Sequence, residues 1–305
     1  MTSPPAAGRG SDADSLVRVL LWRDEPHHLP LLPRALVLAA VAAHFLWSLL
    51  SPAGHLSGAD RAILAGSAAV LVAWYLAGRA LLAPRVDAGA GADADAAAAA
   101  DRLFRKRRAW LIVLPTAAAC SAVAFALEPA MLLAQLRAPT EAAARDAFLA
   151  VVAADPWGAR EVTLLMWAEF VVDLFVGSLE YAEHLPRLSW LHHCVYIWAC
   201  AWMTHDRMCG AFASLLLNEV PVVLLALGSI DTRLRLDLPF GVSYFVTRVL
   251  LCGVVHVLHY RLNPERFIWR FMVGVMVLHT WWFLQWLRSY MRRLRQAAAA
   301  GGKGA

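Results

Sequence analysis

Apolar residues along this 305-residue chain gather in long blocks instead of alternating with polar ones. Eight blocks approach or exceed the length of a bilayer-crossing helix, roughly 34–51, 61–83, 109–132, 161–180, 188–206, 208–230, 240–261 and 265–290. A crossing helix takes about 20 mostly apolar residues. Helix is the expected conformation, because backbone N–H and C=O groups in lipid must find partners within their own segment. The pattern therefore predicts an all-α polytopic transmembrane bundle of about eight spanning helices, a two-helix hairpin over 34–83 followed by a six-helix unit over 102–295. No internal repeat is visible.

The polar stretches set the boundaries. Residues 1–33 are punctuated by Pro, Gly and charge and read as a flexible segment, not as a cleavable signal. The low-complexity stretch 84–101 reads as a linker, 296–305 as a flexible tail, and TEAAARDAFLAVVA over 140–153 as a short surface helix on the outer side. Composition agrees: 60% of residues are hydrophobic and 17% charged, against about 45–50% and about 25% in soluble domains. That excludes a soluble globular domain, a wholly disordered chain and a disulfide scaffold. The five cysteines form no CxxC pair and read as buried small hydrophobes. Several tryptophans, such as Trp22, Trp110, Trp157 and Trp190, fall near block ends, as interfacial rings do.

The formal charge is +5. Its basic residues sit at the ends of apolar blocks, where cytoplasmic flanks belong, so no nucleic-acid partner is expected. The 84–108 connection holds six basic residues, the tail after Trp286 holds five with no acid, and the 128–161 connection holds three basic and five acidic. Placing the first two in the cytosol puts both termini there. The loop 261–270, with three basic residues on the opposite side, opposes that orientation.

Ionisable residues inside the blocks carry the chemical information, since a charge at the centre of a crossing helix costs about 2.5–3.5 kcal/mol even on lenient insertion scales. The fourth block carries Glu169, Asp173 and Glu180 at i, i+4 and i+11, on one helical face. The fifth carries the adjacent pair His192 and His193; the sixth Asn218, Glu219 and Pro221; the seventh Arg248, His256 and His259; the eighth His279. At 1.5 Å per residue from the cytosolic ends, His192 and His193 lie roughly 6–8 Å in, Asp173 and Arg248 about 10–12 Å, and His279 and Glu219 about 15–16 Å. Five helices thus put polar groups into one thin slab, as a single internal site requires. Each group also has a plain structural reading: Arg248 neutralising Asp173 or Glu219, Glu169 bonding a neighbouring helix, His256 and His259 lying at the interface. An adjacent pair is harder to dismiss, because its rings point about 100° apart and cannot share one lipid-facing direction.

Known motifs are few. The apolar blocks hold no HExxH or Glu-x-x-His, the chain has no GxSxG, Walker loop or dinucleotide fingerprint, and adjacent histidines chelate poorly on a helix, so no metal is expected. His205 in THDRM reads as a boundary residue in a tight loop.

Asp173 in FVVDLFVGSLEY, His192-His193 in SWLHHCVYIW, Asn218-Glu219 in LLLNEVPVVLL and Arg248 in YFVTRV together resemble, in order and spacing, the TLC-domain family of multi-pass membrane proteins. The likeness covers about 102–295 and leaves the first hairpin outside. Ceramide synthases differ at the second element, carrying a His-Asp-x-Ser-Asp run roughly where this chain has Asn218, Glu219, Val220 and Pro221, so the chain resembles the non-ceramide-synthase branch. The resemblance implies lipid metabolism, in the sphingolipid sphere or near it, in the endoplasmic reticulum or a related endomembrane. It implies membrane lipids as partners and acyl-CoA as a co-substrate, with no resident cofactor and with homo-oligomerisation left open. An acyl-CoA-dependent N- or O-acyltransferase would use His192 or His193 as base or acyl carrier, Asp173 or Glu219 to orient the ring, and Arg248 to stabilise an oxyanion or hold a headgroup, with Asn218 and His279 completing the substrate-binding wall. Two other readings fit the same residues: a non-enzymatic lipid-binding or membrane-composition regulator, and a trafficking adaptor.

Overall fold

The computed structural model describes residues 31–51, 54–82, 94–153, 158–185, 187–262 and 268–301. The 1–30 part of the N-terminal segment, residues 84–93 of the linker stretch, the end of the tail over 302–305, Trp22 and Trp157 lie outside them. All regular structure among the described residues is helical. In chain order the helices are α1 (Leu31–Leu50), α2 (Gly58–Leu82), α3 (Ala94–Arg108), α4 (Val113–Arg137), α5 (Glu141–Ala153), α6 (Ala159–Glu180), α7 (Arg187–His205), α8 (Cys209–Ala213), α9 (Val220–Ile230), α10 (Asp237–Tyr244), α11 (Cys252–Leu262) and α12 (Ile268–Gly301). Short 3-10 turns occupy Ala182–His184, Leu216–Glu219 and Thr232–Leu234, and a π-helical segment, Phe245–Leu251, joins α10 to α11.

Among the described residues, five helical stretches are long and apolar enough to cross a membrane: Leu31–Leu50, Gly58–Leu82, Ala98–Leu127, Ala159–Glu180 and Asp237–Leu262. The three remaining apolar blocks are helical but different in kind. Block 188–206 is the 19-residue α7, interrupted by its histidines. Block 208–230 is broken into α8, a 3-10 turn and α9. The described part of block 265–290, from Ile268 on, lies in the 34-residue α12, which continues past the apolar part through its arginines. Helix α3 begins inside the stretch read from sequence as linker, on an Ala-rich run that favours helix.

Helix α6 is the centre. It packs on α1, α2, α4, α7 and α8, and 72% of its apolar window is buried, against 11% for α1 and 17% for α2. The outer faces of α1 and α2 expose Leu36, Trp47, Val70 and Leu76, the condition expected of helices that face lipid. The hairpin docks through rings as well: His44 and His55 stack on the fully buried Trp167 of α6 at 5.6 and 6.3 Å.

Ion pairs tie α2 and α6 together at both ends. At one end Arg160 grips Asp60 with both carboxylate oxygens, Nε to Oδ1 at 2.6 Å and Nη2 to Oδ2 at 2.8 Å. At the other, Glu180 accepts from Arg79 at 2.8 Å and from Arg108 at 2.6 Å, and Arg108 also donates to the Glu180 carbonyl at 2.7 Å. The pairs are nineteen residues apart on α2 and twenty on α6, a rise of about 30 Å at 1.5 Å per residue, which matches the hydrocarbon thickness of a bilayer. The two helices therefore run parallel, with their charges placed where an apolar slab would end. Glu180, read from sequence as one face with Glu169 and Asp173, belongs to this end cluster.

Proline shapes the backbone at α4. Pro115 has no N–H for the Leu111 carbonyl four residues back, and the chain over 109–112 is a turn, not α-helix. The freed Leu111 oxygen accepts from Trp74 Nε1 of α2 at 2.8 Å. Two glycines allow close approach. A Cβ at Gly241 would lie 1.7 Å from Cη2 of Trp286, and one at Gly177 only 2.4 Å from Leu185 Cδ1. The five cysteines are free. Cys194 is half-buried, not buried as expected, and the other four are buried. Trp190 is likewise buried, not interfacial.

Removing Glu180 would strand Arg108, whose side chain is 8% exposed. Glu180→Ala is expected to cost about 3–5 kcal/mol, as loss of one partner of a buried pair does, whereas Arg79→Ala, at the more exposed end of the same cluster, should cost less than about 1 kcal/mol. Thermal unfolding of the detergent-purified variants checks the order.

Candidate functional site

A cavity of about 650 Å³ opens among α4, α6, α7, α9, α10 and α12. Every residue singled out from the sequence slab lines it: Asp173, His192, His193, Asn218, Glu219, Arg248 and His279. The volume falls within the usual range of small-molecule pockets, about 300–1,000 Å³. Most of the remaining wall is aromatic or aliphatic, including Trp110, Phe170, Leu188, Leu225, Trp282 and Trp286. The exposed Lys106 also belongs to the lining, so the cavity reaches the molecular surface at the end where Arg108 and Glu180 pair.

The adjacent histidines divide. His193 is buried, and both its ring nitrogens are engaged: Nδ1 lies 2.6 Å from the Ser189 carbonyl oxygen and Nε2 lies 2.8 Å from Asp173 Oδ2. A carbonyl only accepts, so Nδ1 carries a proton. One further proton is shared between Nε2 and Oδ2. The other oxygen of Asp173 accepts from the Tyr181 hydroxyl at 2.5 Å. Ser189, His193, Asp173 and Tyr181 thus form one closed chain across α6 and α7. His192, about 100° around the same helix, points elsewhere. Its ring sits 4.5 Å from Tyr196 and 5.6 Å from Phe170, with Trp282 beyond, and it has no hydrogen-bond partner among the described residues. Neither Asp173 nor Glu219 orients His192; Asp173 holds His193 instead.

Irregular backbone places the cation. Pro221 has no N–H to give the Asn218 carbonyl three residues back, so the 3-10 turn Leu216–Glu219 leaves that oxygen open. Arg248 Nε fills it at 2.7 Å. Arg248 itself sits in the π-helical segment Phe245–Leu251, a geometry frequent at functional sites. Its outer nitrogens make only long contacts, 3.4 Å to Glu219 Oε1 and 3.5 Å to His279 Nε2, and its guanidinium lies over the Tyr244 ring at 5.3 Å. The partner is Glu219 and not Asp173. Asn218 contributes its backbone oxygen to this contact. The Tyr244 hydroxyl and His279 Nδ1 are buried without partners among the described residues.

Glu169 joins the site though the sequence reading left it outside. It lines the cavity at 4% exposure and has no hydrogen-bond partner among the described residues. Its signal was present, one helical turn before Asp173. Donor atoms of Glu169, Asp173 and His193 lie within 4.8 Å of one another. Tyr181, Tyr196 and Tyr244 were also missed; only Tyr196, four residues after His192, carried a readable spacing. The remaining ionisable residues lie apart. His259 is fully buried, not interfacial, and packs edge-on against Phe148 of α5 at 4.8 Å. His205 is exposed and hydrogen-bonded to Asp206.

Arg248→Met would leave Glu219 and the Asn218 carbonyl facing an apolar wall, at a cost of about 3–5 kcal/mol. Glu219→Gln keeps the Nε bond and should cost only about 1–2 kcal/mol. A wider loss for Arg248→Met in thermal unfolding checks that the backbone bond, and not the ion pair, is the main tie.

Comparison with protein-family models, with curated proteins and with solved structures returned no match.

Proposed function

We propose that the protein is a TLC-like integral membrane protein of lipid metabolism that acts as an intramembrane acyltransferase, moving an acyl chain from acyl-CoA to an amine or hydroxyl. The observation that carries this reading is His192: an imidazole with no hydrogen-bond partner among the described residues, in a largely apolar cavity, beside a histidine locked by Asp173 and Ser189. His192 takes the proton of the attacking amine or hydroxyl as it adds to the thioester carbonyl. Arg248, held through Nε with its outer nitrogens loosely engaged, stabilises the oxyanion. Collapse expels the thiolate, which leaves as the thiol with the proton from His192. Asp173 and His193 position α7 against α6. The TLC-domain resemblance over 102–295 adds the same residues in the same order.

In this reading all eight apolar blocks cross the membrane, and the end bearing Arg79, Lys106, Arg108, Arg233, Arg235 and Arg293 faces the cytosol. Arginine-rich flanks support that side, and it is the side on which Lys106 opens the cavity and acyl-CoA would arrive. The endoplasmic reticulum or a related endomembrane is the proposed location. A second reading, lipid binding without chemistry, is favoured by the predominantly apolar wall of the same cavity.

Replacing His192 with Ala separates the two. Lipid profiles of cells lacking the protein are compared with cells carrying His192→Ala at normal abundance. An enzyme should lose product formation by about 10²–10⁴-fold in the variant, the usual contribution of general-base catalysis, and the profile should match the deletion. A profile restored by His192→Ala would favour lipid binding.

A further inference from the structure

We propose that Glu169, Asp173 and His193 form a divalent-metal site in the cavity wall, suited to a first-row transition ion such as zinc. The proposal goes beyond the acyl-transfer reading and does not depend on it. Donor atoms of the three residues lie within 4.8 Å of one another, and all three are buried. They come from one turn of α6 and the facing turn of α7, two helices packed against each other.

Glu169 is the independent pointer. A buried carboxyl is expected to be paired or hydrogen-bonded, yet this one lines the cavity with no hydrogen-bond partner among the described residues. Glu219, the third carboxylate of the cavity, is already turned to Arg248. A cation between Glu169 and Asp173 would give the orphan carboxylate its partner.

The surrounding bonds are those that prepare ligands. Metal-bound histidines almost always donate their second ring N–H to a carbonyl or carboxylate, which fixes the ring. His193 does this through Nδ1 to Ser189 and so presents Nε2. Asp173 is held through Oδ1 by Tyr181, which leaves Oδ2 as the donor. An ion would replace the proton now shared by Nε2 and Oδ2, and that proton would leave to solvent. Two carboxylates and a neutral imidazole carry a charge of two, which a divalent ion balances. One nitrogen and two oxygen donors suit zinc, manganese or ferrous iron rather than a thiolate-seeking ion. Three protein ligands also leave coordination positions open toward the cavity. The motif was invisible as a chelating word because its ligands are split between two helices.

The test uses full-length protein purified in detergent, stripped with a chelator, reloaded with zinc chloride and desalted. Elemental analysis is expected to find about one zinc per chain. Glu169→Gln, isosteric and uncharged, should weaken retention at least tenfold, and Glu219→Gln should leave it unchanged. X-ray absorption of the zinc-loaded wild type should show a nitrogen and oxygen shell with an imidazole contribution. That measurement needs no variant, so it stands even if Glu169→Gln fails to fold. Wild type that retains no zinc, a sulfur shell placing the ion on cysteine, or a folded Glu169→Gln that binds as tightly as wild type would each overturn the site. Zinc content is read with no acyl donor present, so failure here is distinct from failure of the acyl-transfer reading.

Discussion

The cost of a charge away from water governs this molecule. Along α2 and α6 ion pairs occur at two levels, Asp60 with Arg160 and Glu180 with Arg79 and Arg108. The levels are separated by about one hydrocarbon thickness. Between them the side chains of both helices are overwhelmingly apolar, and the exceptions on α6, Glu169 and Asp173, turn to the cavity. The same cost explains why α6 is central. It carries acids in its interior and must be shielded on every side, whereas α1 and α2 carry none there and can leave leucine and valine outward.

Irregular backbone is the second consequence. A proline in an apolar helix frees a carbonyl that lipid cannot satisfy. At Pro115 and Pro221 a side chain from another helix supplies the donor: Trp74 for the oxygen freed near Pro115, and Arg248 for the one left open by Pro221. The second case has a chemical by-product. Binding Asn218 through Nε anchors the guanidinium in a buried place without a tight carboxylate partner, and its outer nitrogens stay within 3.4–3.5 Å of weak contacts only. A short ion pair there would have quenched the charge. The kinked helix makes Arg248 both tolerable and usable.

This division also shows what the sequence could and could not convey. Helicity and apolar blocks follow from composition and length, and the common level of Asp173, His192, His193, Glu219, Arg248 and His279 follows from counting residues along rods. One coordinate, depth, was therefore legible, and all of these residues line one cavity. Role was not: Glu169 and Glu180 share a calculated face with Asp173, yet only Glu169 lines the cavity with it, and Glu180 lies at the helix end among arginines. The broken block 208–230 was unreadable for a related reason: hydropathy registers apolarity whether or not the helix continues, and only the Asn218 to Pro221 stretch hinted at the break. Tyr181 lies beyond the end of α6, where helical periodicity no longer predicts direction.

The histidine pair shows why adjacency matters. Two imidazoles on successive residues cannot do the same job, because the helix rotates them about 100° apart. His193 is bonded at both nitrogens and couples α7 to α6 through Asp173, which fixes its ring. The other ring inherits that fixity without those bonds. His192 shares the turn of backbone that His193 pins, and its ring is held by Tyr196 and Phe170 through contacts that leave both nitrogens open. A lone histidine in the same cavity would face a choice: bond at both nitrogens and have no lone pair to offer, or stay free and lose its orientation. The pair gives order to one ring and leaves its neighbour without a hydrogen-bond partner among the described residues, and the base role proposed for His192 rests on that difference.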